Sequence, residues 1–422
     1  MRIEFRPAAE GDVRGTVDEG AGDYDPLRTA AARLAREHRA AGATIAWSAG
    51  TADEVRAVVD GTAYGAYDPG LFKAGYADRP QIVLALDAPA ELHDLARRQE
   101  IVVRHLDGAR DLANRPPNDL TPEALAAHAQ SLAGDRLTVE SHGRDWLEAN
   151  GMGAFLGVAA GSAYDPQLVV MRYDPPNARG DVTLGLVGKA ITFDSGGISL
   201  KPPLRMQDMK GDMAGGAAVI QATAAIAELG LPLRVLTVVA STENVQDAKA
   251  FKPGDILRAS NGKTIEIMNT DAEGRLILAD ALHYAREHGA THIVDFATLT
   301  GAMTVAMGDI YAGYYANDDA LAAAIDRASA TSGDLAWRFP LHPRYRRYID
   351  SDFADMKNGS ELREGAPALA AMFLREFAGD GPWAHFDISP GYIRRRRPDY
   401  ALDQGGTGYG VRLIVELAEE LA

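Results

Sequence analysis

The chain has 422 residues, of which 46% are hydrophobic and 24% charged. This composition indicates a globular protein of two or three domains rather than a disordered chain. The formal net charge of −16 argues against nucleic-acid or anionic-membrane binding as the main task, because both need a basic surface. Cysteine is absent, which excludes disulfides and thiolate metal sites.

The first residues of the chain lack the apolar core of a signal peptide. No apolar run approaches the roughly 20 residues that span a bilayer. We therefore expect a soluble protein in the cytoplasm.

Residues 1–90 alternate short β-like runs with Ala- and Arg-rich helices such as the one predicted from Pro26 to Ala40. They predict a small N-terminal α/β domain, and without a dense cluster of candidate ligands a structural or assembly role is favoured. Residues 91–113 predict a connecting helix. A break follows, in which Thr121 and Pro122 form an N-cap and first helical position.

Residues 114–422 predict a larger α/β domain, with a mostly parallel mixed sheet covered by helices on both faces. The candidate strands are Leu168–Arg172, Thr183–Val187, Leu233–Val239, Thr264–Met268, His292–Phe296 and His385–Ile388. The candidate helices include Ala214–Ala227, Leu276–His288, Ala320–Ala330, Ala366–Phe377 and Val411–Leu421.

The heptapeptide Asn269–Arg275, Asn-Thr-Asp-Ala-Glu-Gly-Arg, lies between a candidate strand and a candidate helix. Its acids, Asp271 and Glu273, are two residues apart, so in extended backbone they project the same way and can grip a cation. Taken alone, the segment is more often an ordinary polar loop with an acid at a helix N-terminus.

A second cluster lies upstream and contains Lys189, Asp194, Lys201 and Asp212. Because the predicted strand ends at Val187, Lys189 and Asp194 are expected at and beyond its end. Charged groups beside an apolar sheet are costly unless they are paired or bind a metal. Two internal salt bridges are the alternative interpretation.

Together the two stretches offer four carboxylates and one potential amine: Asp194, Asp212, Asp271, Glu273 and Lys189. Carboxylates without cysteine or histidine suit Mg²⁺, Mn²⁺ or Zn²⁺. Four acids are too many for one buried ion and enough for two that are partly bridged.

The heptapeptide and the upstream run Gly188–Gly197 resemble the signature motifs of the leucine aminopeptidase, or cytosol aminopeptidase, family. The resemblance covers the chain from about Asn114 onward. It implies a metal-dependent aminopeptidase that removes N-terminal amino acids, Leu-like ones preferred, by means of a water activated by two metals. The substrates would be peptides with a free N-terminus.

The resemblance also implies a role for each metal ligand. Asp194 and Glu273 would bridge both ions, Asp271 would complete the more exchangeable site, and Lys189 and Asp212 would complete the tighter one. The ions would be Mn²⁺ or Zn²⁺, with Mg²⁺ as a further option.

Two cations would act on the reacting groups in the same family picture. Lys201 would donate to the substrate carbonyl oxygen, and Arg275 would anchor a bicarbonate that acts as general base. The residues that match the family's pocket for the N-terminal side chain are Met209, Thr298, Leu299 and Gly301.

One departure from the family motif is Ala190, which replaces the usual glycine after Lys189 and would cost about 1 kcal/mol if that position needed a positive φ. The resemblance further implies a homohexamer. Compared with the usual N-terminal domain of the family, that of this chain is shortened. Two other functions stay open: a narrow-specificity dipeptidase, and a non-catalytic or DNA-binding assembly protein.

Overall fold

A computed structural model describes residues 1–17, 25–76, 78, 80–360, 364–393, 400 and 404–422. Its two principal sheets have four and eight strands, and smaller sheets of three and two strands accompany them. The predicted α/β fold with a large mixed sheet flanked by helices is confirmed.

The N-terminal sheet is parallel throughout and has the strand order β1-β4-β3-β2. Its strands and helices are β1 Arg2–Phe5, β2 Val13–Arg14, α1 Pro26–His38, β3 Ala43–Ser48, α2 Ala52–Ala66 and β4 Ile82–Asp87. Helix α2 begins with a reciprocal cap between Thr51 and Glu54, which satisfies two free backbone N–H groups. The long helix α3, His93–Asn114, follows and contributes Val103 to the core of this sheet.

The large sheet has the strand order β13-β12-β15-β11-β7-β8-β6-β5. Its strands are β5 Leu137–His142, β6 Gln167–Tyr173, β7 Thr183–Asp194, β8 Arg234–Asn244, β11 His292–Ala297, β12 Ala312–Ala316, β13 Ala336–Arg338 and β15 Trp383–Asp387. The central strands β15, β11, β7 and β8 are mutually parallel, whereas the β12–β15, β6–β8 and β5–β6 pairs are antiparallel. The carboxyl ends of the four central strands therefore meet at one edge.

Two smaller sheets complete the fold. Their strands are β9 Ile256–Arg258, β10 Thr264–Glu266, β14 Met356–Lys357, β16 Tyr392–Ile393 and β17 Gly405–Gly406. Strand β10 stops at Glu266, two residues before the predicted end, because the backbone N–H of Met268 donates to the side chain of Asn358 instead of continuing the ladder.

Helices cover both faces of the large sheet. They are α4 Pro122–Ser131, α5 Arg144–Ala149, α6 Gly153–Ala159, α7 Ala214–Leu229, α8 Gly274–Glu287, α9 Gly301–Met307, α10 Asp319–Ser332, α11 Ala366–Arg375 and α12 Val411–Glu420. Helices α3, α4, α7, α10 and α12 pack into one hydrophobic core, and α5, α6, α8, α9 and α11 into the other. None of the helices in the described ranges is long and apolar enough to cross a membrane.

Strand β7 is longer than the sequence predicts. Because side chains alternate along a strand, Leu186 enters one core while Val187 and Ile191 enter the other. The strand continues through Lys189 to Asp194, so the prediction that these residues lie at and beyond the strand end is wrong for Lys189. Strand β7 stays paired with β8 through this segment, and the backbone hydrogen bonds between them extend the strand beyond its apolar residues.

Candidate active site

Three segments converge at the carboxyl edge of the central strands. Strand β7 supplies Lys189 and Asp194, with a register irregularity just before Asp194 that alters where its carboxylate points. A 3₁₀ turn, Met206–Gly211, leads directly into Asp212. The turn before α8 supplies Asp271 and Glu273, the latter at the N-cap of the helix.

Lys189 is the buried half of this cluster. Its Nζ lies 2.7 Å from Asp212 Oδ2 and 2.9 Å from Glu273 Oε1, and it donates to the backbone oxygen of Thr298 at 3.0 Å. Its side chain is only 3% exposed. Gly274 permits this position, because a Cβ there would lie 2.7 Å from Lys189 Cε.

Lys201 forms the more open half. Its Nζ lies 2.7 Å from Asp194 Oδ2 and also contacts Asp271, and its side chain is 21% exposed. The backbone N–H of Gly196 donates to Asp194 Oδ1 at 2.9 Å and fixes that carboxylate from the other side. The structure thus brings all five proposed ligands and Lys201 together.

The protonation equilibria of the carboxylates are strongly perturbed. The pKa of Asp271 is raised to about 6, chiefly by burial and also by the charge of Asp194, while Lys201 opposes the shift. Burial likewise raises the pKa of Asp194, with Glu273 adding to the effect. Burial by itself lowers the pKa of Lys189, but the carboxylates around it raise this pKa above its ordinary value. The site therefore holds more carboxylates, close together, than its two lysines can balance.

A cavity of about 740 Å³ opens over the cluster. Met209, Thr298, Leu299 and Gly301, which the family resemblance assigns to the pocket for the N-terminal side chain, all line this cavity. A Cβ at Gly301 would meet no atom within 4 Å, so this position leaves space in the cavity.

Arg275 does not line this cavity. It is buried, its Nη1 donates to the backbone oxygen of Asn358 at 2.7 Å, and its Nε has no hydrogen-bond partner. Burial lowers its pKa to about 10, which carboxylates such as Glu273 partly oppose. An unpartnered buried guanidinium nitrogen is free to bind an anion.

Two residues that the sequence analysis missed hold the site in place. Asn244 Nδ2 donates to Asp194 Oδ1 at 2.8 Å and to the backbone oxygen of Thr270 at 3.0 Å, so it ties the two motifs together. Asp387 accepts from the backbone N–H groups of Leu299 and Thr300, each at 3.1 Å. Each polar residue ends a buried strand of the sheet, and this signal could have identified them.

Ala190 does not carry the strain that a positive φ would impose. It lies in β7, fully buried and paired with Ser241, and Arg205 is the single non-glycine residue with positive φ in the described ranges. The methyl group is accommodated because helix α7 presents Gly216 opposite it; a Cβ on Gly216 would lie 2.7 Å from that of Ala190. The glycine-to-alanine departure therefore leaves the backbone of Lys189 undisturbed.

Comparison with known proteins agrees with this geometry. Residues 107–415 match the model described as "Cytosol aminopeptidase family, catalytic domain". A relative from Solibacter usitatus named "Probable cytosol aminopeptidase" is 45% identical over 366 residues, which cover 86% of this chain and 75% of the relative. The chain belongs to the cytosol aminopeptidase family.

Other members of the family align over nearly the whole chain. A "Probable cytosol aminopeptidase" from Streptomyces avermitilis is 42% identical over 422 residues, which cover 97% of this chain and 81% of the relative. Among solved structures, the chain is similar to "Bottromycin maturation enzyme BotP in complex with Mn", with a TM-score of 0.88 and 35% identity. That alignment covers 99% of this chain and 92% of BotP.

Membership of this family makes the protein a metal-dependent aminopeptidase, a hydrolase of peptide bonds. The site has the chemistry that a metal requires. Carboxylate oxygens of Asp194, Asp271 and Glu273 lie within 4.8 Å of one another. All of these donors are hard oxygen ligands, which suit Mn²⁺ and similar ions.

Proposed function

We propose that this aminopeptidase works with two divalent ions per subunit, held by Asp194, Asp212, Asp271, Glu273 and Lys189. The observation that carries the proposal is the charge of the cavity lining. Seven acidic residues and three basic ones line it, and with Lys189 neutral as a ligand the formal charge is −5. Two divalent cations would reduce that charge to −1, whereas one would leave −3.

The burial of the ligands supports a division between a tighter and a more exchangeable position. Lys189, Glu273 and Asp212 have side chains that are 3%, 2% and 9% exposed, whereas Asp271 is 32% exposed. We assign Asp194 and Glu273 as bridging ligands, Lys189 and Asp212 to the tighter position and Asp271 to the exchangeable one. Lys189 would have to lose its proton, which a neighbouring dication favours.

When bound, the ions would supply a nucleophilic water at neutral pH, polarise the scissile carbonyl and hold the free α-amine of the peptide. Of the two lysines, Lys201 is the one that can reach the scissile carbonyl, because its side chain is far more exposed than that of Lys189. We assign it to the carbonyl oxygen, where its N–H groups would stabilise the developing negative charge.

We assign Arg275 to a bicarbonate that accepts a proton from the attacking water. Its unpartnered Nε supports this role. Because the guanidinium itself does not line the cavity, the anion would lie between Arg275 and the reacting groups. The hydrogen bond from Arg275 Nη1 to the backbone oxygen of Asn358 would keep the side chain in position while it binds the anion.

We further propose that Leu-like N-terminal residues are preferred. Met209 and Leu299 supply apolar surface beside Thr298, and Gly301 leaves room for a branched side chain. One methylene more or less changes discrimination by only about 1–3 kcal/mol in such a pocket, so the preference would be graded.

Other features of the protein belong to the same proposal. The chain would divide into a small domain over residues 1–90, a connecting helix over 91–113 and a catalytic domain over 114–422. Helix α3 supports this division, since Val102 packs in the core of the large sheet and Val103 in that of the small one. We further propose that the protein forms a homohexamer in the cytoplasm and uses Mn²⁺ or Zn²⁺.

The test is release of p-nitroaniline from leucine p-nitroanilide by EDTA-treated protein, with and without added Mn²⁺ or Zn²⁺. Activity should return with metal, and titration should give two ions per chain. Asp271→Asn should lose the more weakly bound ion and most of the activity. Full activity with a single bound ion would overturn the two-metal assignment without affecting the family assignment.

A further inference from the structure

Arg205 has a backbone conformation that a side chain disfavours. Its φ is 63° and its ψ 22°, in the left-handed region, and it is the single non-glycine residue with positive φ in the part of the chain that the structure describes. A glycine would adopt this conformation without a steric penalty. An arginine at such a position is a reason to look for a function of its side chain.

The strain lies at the start of the turn that delivers two site residues. The backbone N–H of Asp208 donates to the carbonyl of Arg205 at 3.0 Å, and this opens the 3₁₀ turn that carries Met209 and precedes Asp212. The preceding β-turn, in which the backbone N–H of Met206 donates to the carbonyl of Pro203 at 3.2 Å, puts Arg205 at the turn position that needs a positive φ, and so fixes where the guanidinium begins. It does not dictate that the residue be an arginine.

Arg205 is also the uncommitted cation of the active-site cavity. Three basic residues line the cavity, and Lys189 and Lys201 are both held by carboxylates. Within the described ranges the guanidinium of Arg205 makes no hydrogen bond or ion pair. Arg205 is itself part-exposed and its neighbour Leu204 is 83% exposed, so Arg205 lies toward the solvent side of the lining.

The position of Arg205 determines which part of a peptide it can contact. If the proposed function holds, the free amine and the first side chain of the substrate lie at the buried end, beside Lys189 and Met209. Only the part on the leaving-group side of the scissile bond extends toward the solvent side. We propose that Arg205 binds a carboxylate on the leaving-group side of the substrate and thereby selects short or acidic peptides.

The surrounding charges make this contact selective. Asp208 and Asp309 also line the cavity, so an incoming carboxylate is repelled wherever no cation faces it. A guanidinium can bind a carboxylate through two parallel N–H···O bonds, and it keeps its charge at every pH of interest. The carboxylate can be the C-terminus of a di- or tripeptide, or the side chain of Asp or Glu after the scissile bond.

The experiment compares peptides that differ only in that carboxylate, with the Mn²⁺-loaded protein. The substrates are Leu-Gly, Leu-Gly amide, Leu-Gly-Gly, Leu-Gly-Gly amide and Leu-Asp amide. The test variants are Arg205→Asn, which tolerates the left-handed backbone without a charge, and Arg205→Lys. Leu204→Gly is the matched control for loosening of the same loop.

We expect kcat/KM to favour a free acid over its amide about three- to tenfold, the range of a part-exposed charge pair, mainly through KM. The ratio should fall to about one in Arg205→Asn, survive in part in Arg205→Lys, and remain in Leu204→Gly. It should also fall with added salt, since the contact is part-exposed.

The peptide comparisons distinguish the two possible sources of the carboxylate, a side chain and the C-terminus. A preference for Leu-Asp amide over Leu-Gly amide assigns side-chain carboxylates, and a preference for the free acids assigns the C-terminus. An unchanged ratio in Arg205→Asn, or no preference in the wild-type protein, would overturn the proposal while hydrolysis of the amides still upheld the proposed function. No hydrolysis of any peptide would overturn both.

Discussion

The protein buries two clusters of charge, and they differ in how that charge is balanced. In one, Arg412 Nη1 lies 2.7 Å from Asp60 Oδ2 and its Nη2 2.6 Å from Asp334 Oδ1, with all three side chains at most 2% exposed. Arg28 adds a second cation 3.6 Å from Asp60. In the active site, four clustered carboxylates form ion pairs with two lysine ammonium groups.

The carboxylates of the Arg412 cluster also accept further hydrogen bonds. Asp60 accepts from the side chain of Gln99 at 2.5 Å, and Asp334 accepts from the backbone N–H of Gly410 at 3.0 Å. Because α2 supplies Asp60 and α12 supplies Arg412, the cluster joins the N-terminal sheet to the large one. Balanced charge here fixes how two parts of the chain pack.

The contrast shows how buried charge can be interpreted. Matched charges whose carboxylates accept further hydrogen bonds indicate a structural junction, whereas surplus charge of one sign beside a cavity indicates a ligand that supplies the opposite sign. By this criterion the active site is incomplete without cations, and the Arg412 cluster is complete without them.

The largest expected effect is on the balanced cluster. Arg412→Met should lower the free energy of unfolding by about 3–5 kcal/mol, because Asp60 and Asp334 would remain buried without their partner. Urea unfolding followed by circular dichroism measures this change. Arg327→Met, at an exposed ion pair with Glu420, is the control and should cost less than about 1 kcal/mol. Equal midpoints for the two variants would contradict the structural role.

Added metal should stabilise the protein through the active site alone. Mn²⁺ at one hundred times its dissociation constant should raise the free energy of unfolding by about 2.7 kcal/mol per site. Thermal unfolding with and without EDTA gives the shift. Asp271→Asn should reduce it, and Arg412→Met should keep it. An equal shift in the wild-type and Asp271→Asn proteins would mean that the ion binds elsewhere.

Asn244 should matter less than a ligand because it acts through two proposed ligands, Asp194 at 2.8 Å and Glu273 at 3.5 Å. Asn244→Ala removes the hydrogen bond that orients Asp194, and metal affinity should fall about 10–100-fold, the usual effect of losing such a partner. Titration of Mn²⁺ by calorimetry measures it. Asn317→Ala, whose side chain donates to the distant backbone of Gly381, is the control and should leave the affinity unchanged. Unchanged affinity in Asn244→Ala would show that Asp194 is held without it.

Asp280 is an intermediate case, a buried carboxylate bound by backbone N–H groups of Phe155 and Ser260. Burial raises its pKa to about 6, although those hydrogen bonds oppose the shift, against 3.8 as the ordinary value. The folded state therefore binds the proton more tightly. The stability that this proton contributes is present below about pH 4 and is lost as pH rises through 6.

The measured quantity for Asp280 is the difference in free energy of unfolding between wild type and Asp280→Asn from pH 4 to 7. Up to about 2 kcal/mol of the wild-type value should disappear over this range, while the variant lacks that component. Parallel pH profiles for the two proteins would show that the carboxyl keeps an ordinary pKa.

Much of the active site could be predicted because its ligands lie in two compact motifs. Asp271 and Glu273 are two residues apart, and Lys189 and Asp194 belong to one strand, so local sequence keeps each group together. The alternation of apolar runs likewise predicted the α/β class and the central strands. These features depend on short-range periodicity, which a sequence displays directly.

Tertiary structure decided what depends on partners distant in the chain. Strand β7 extends through Lys189 because β8 pairs with it, and Ala190 fits because Gly216 lies opposite. Asp60 and Arg412 are 352 positions apart, so no local pattern joins them. Sequence by itself determined the family, the α/β class and the candidate ligands. Folding decided the charge balance, since the free energy of a buried charge depends on all the groups that surround it.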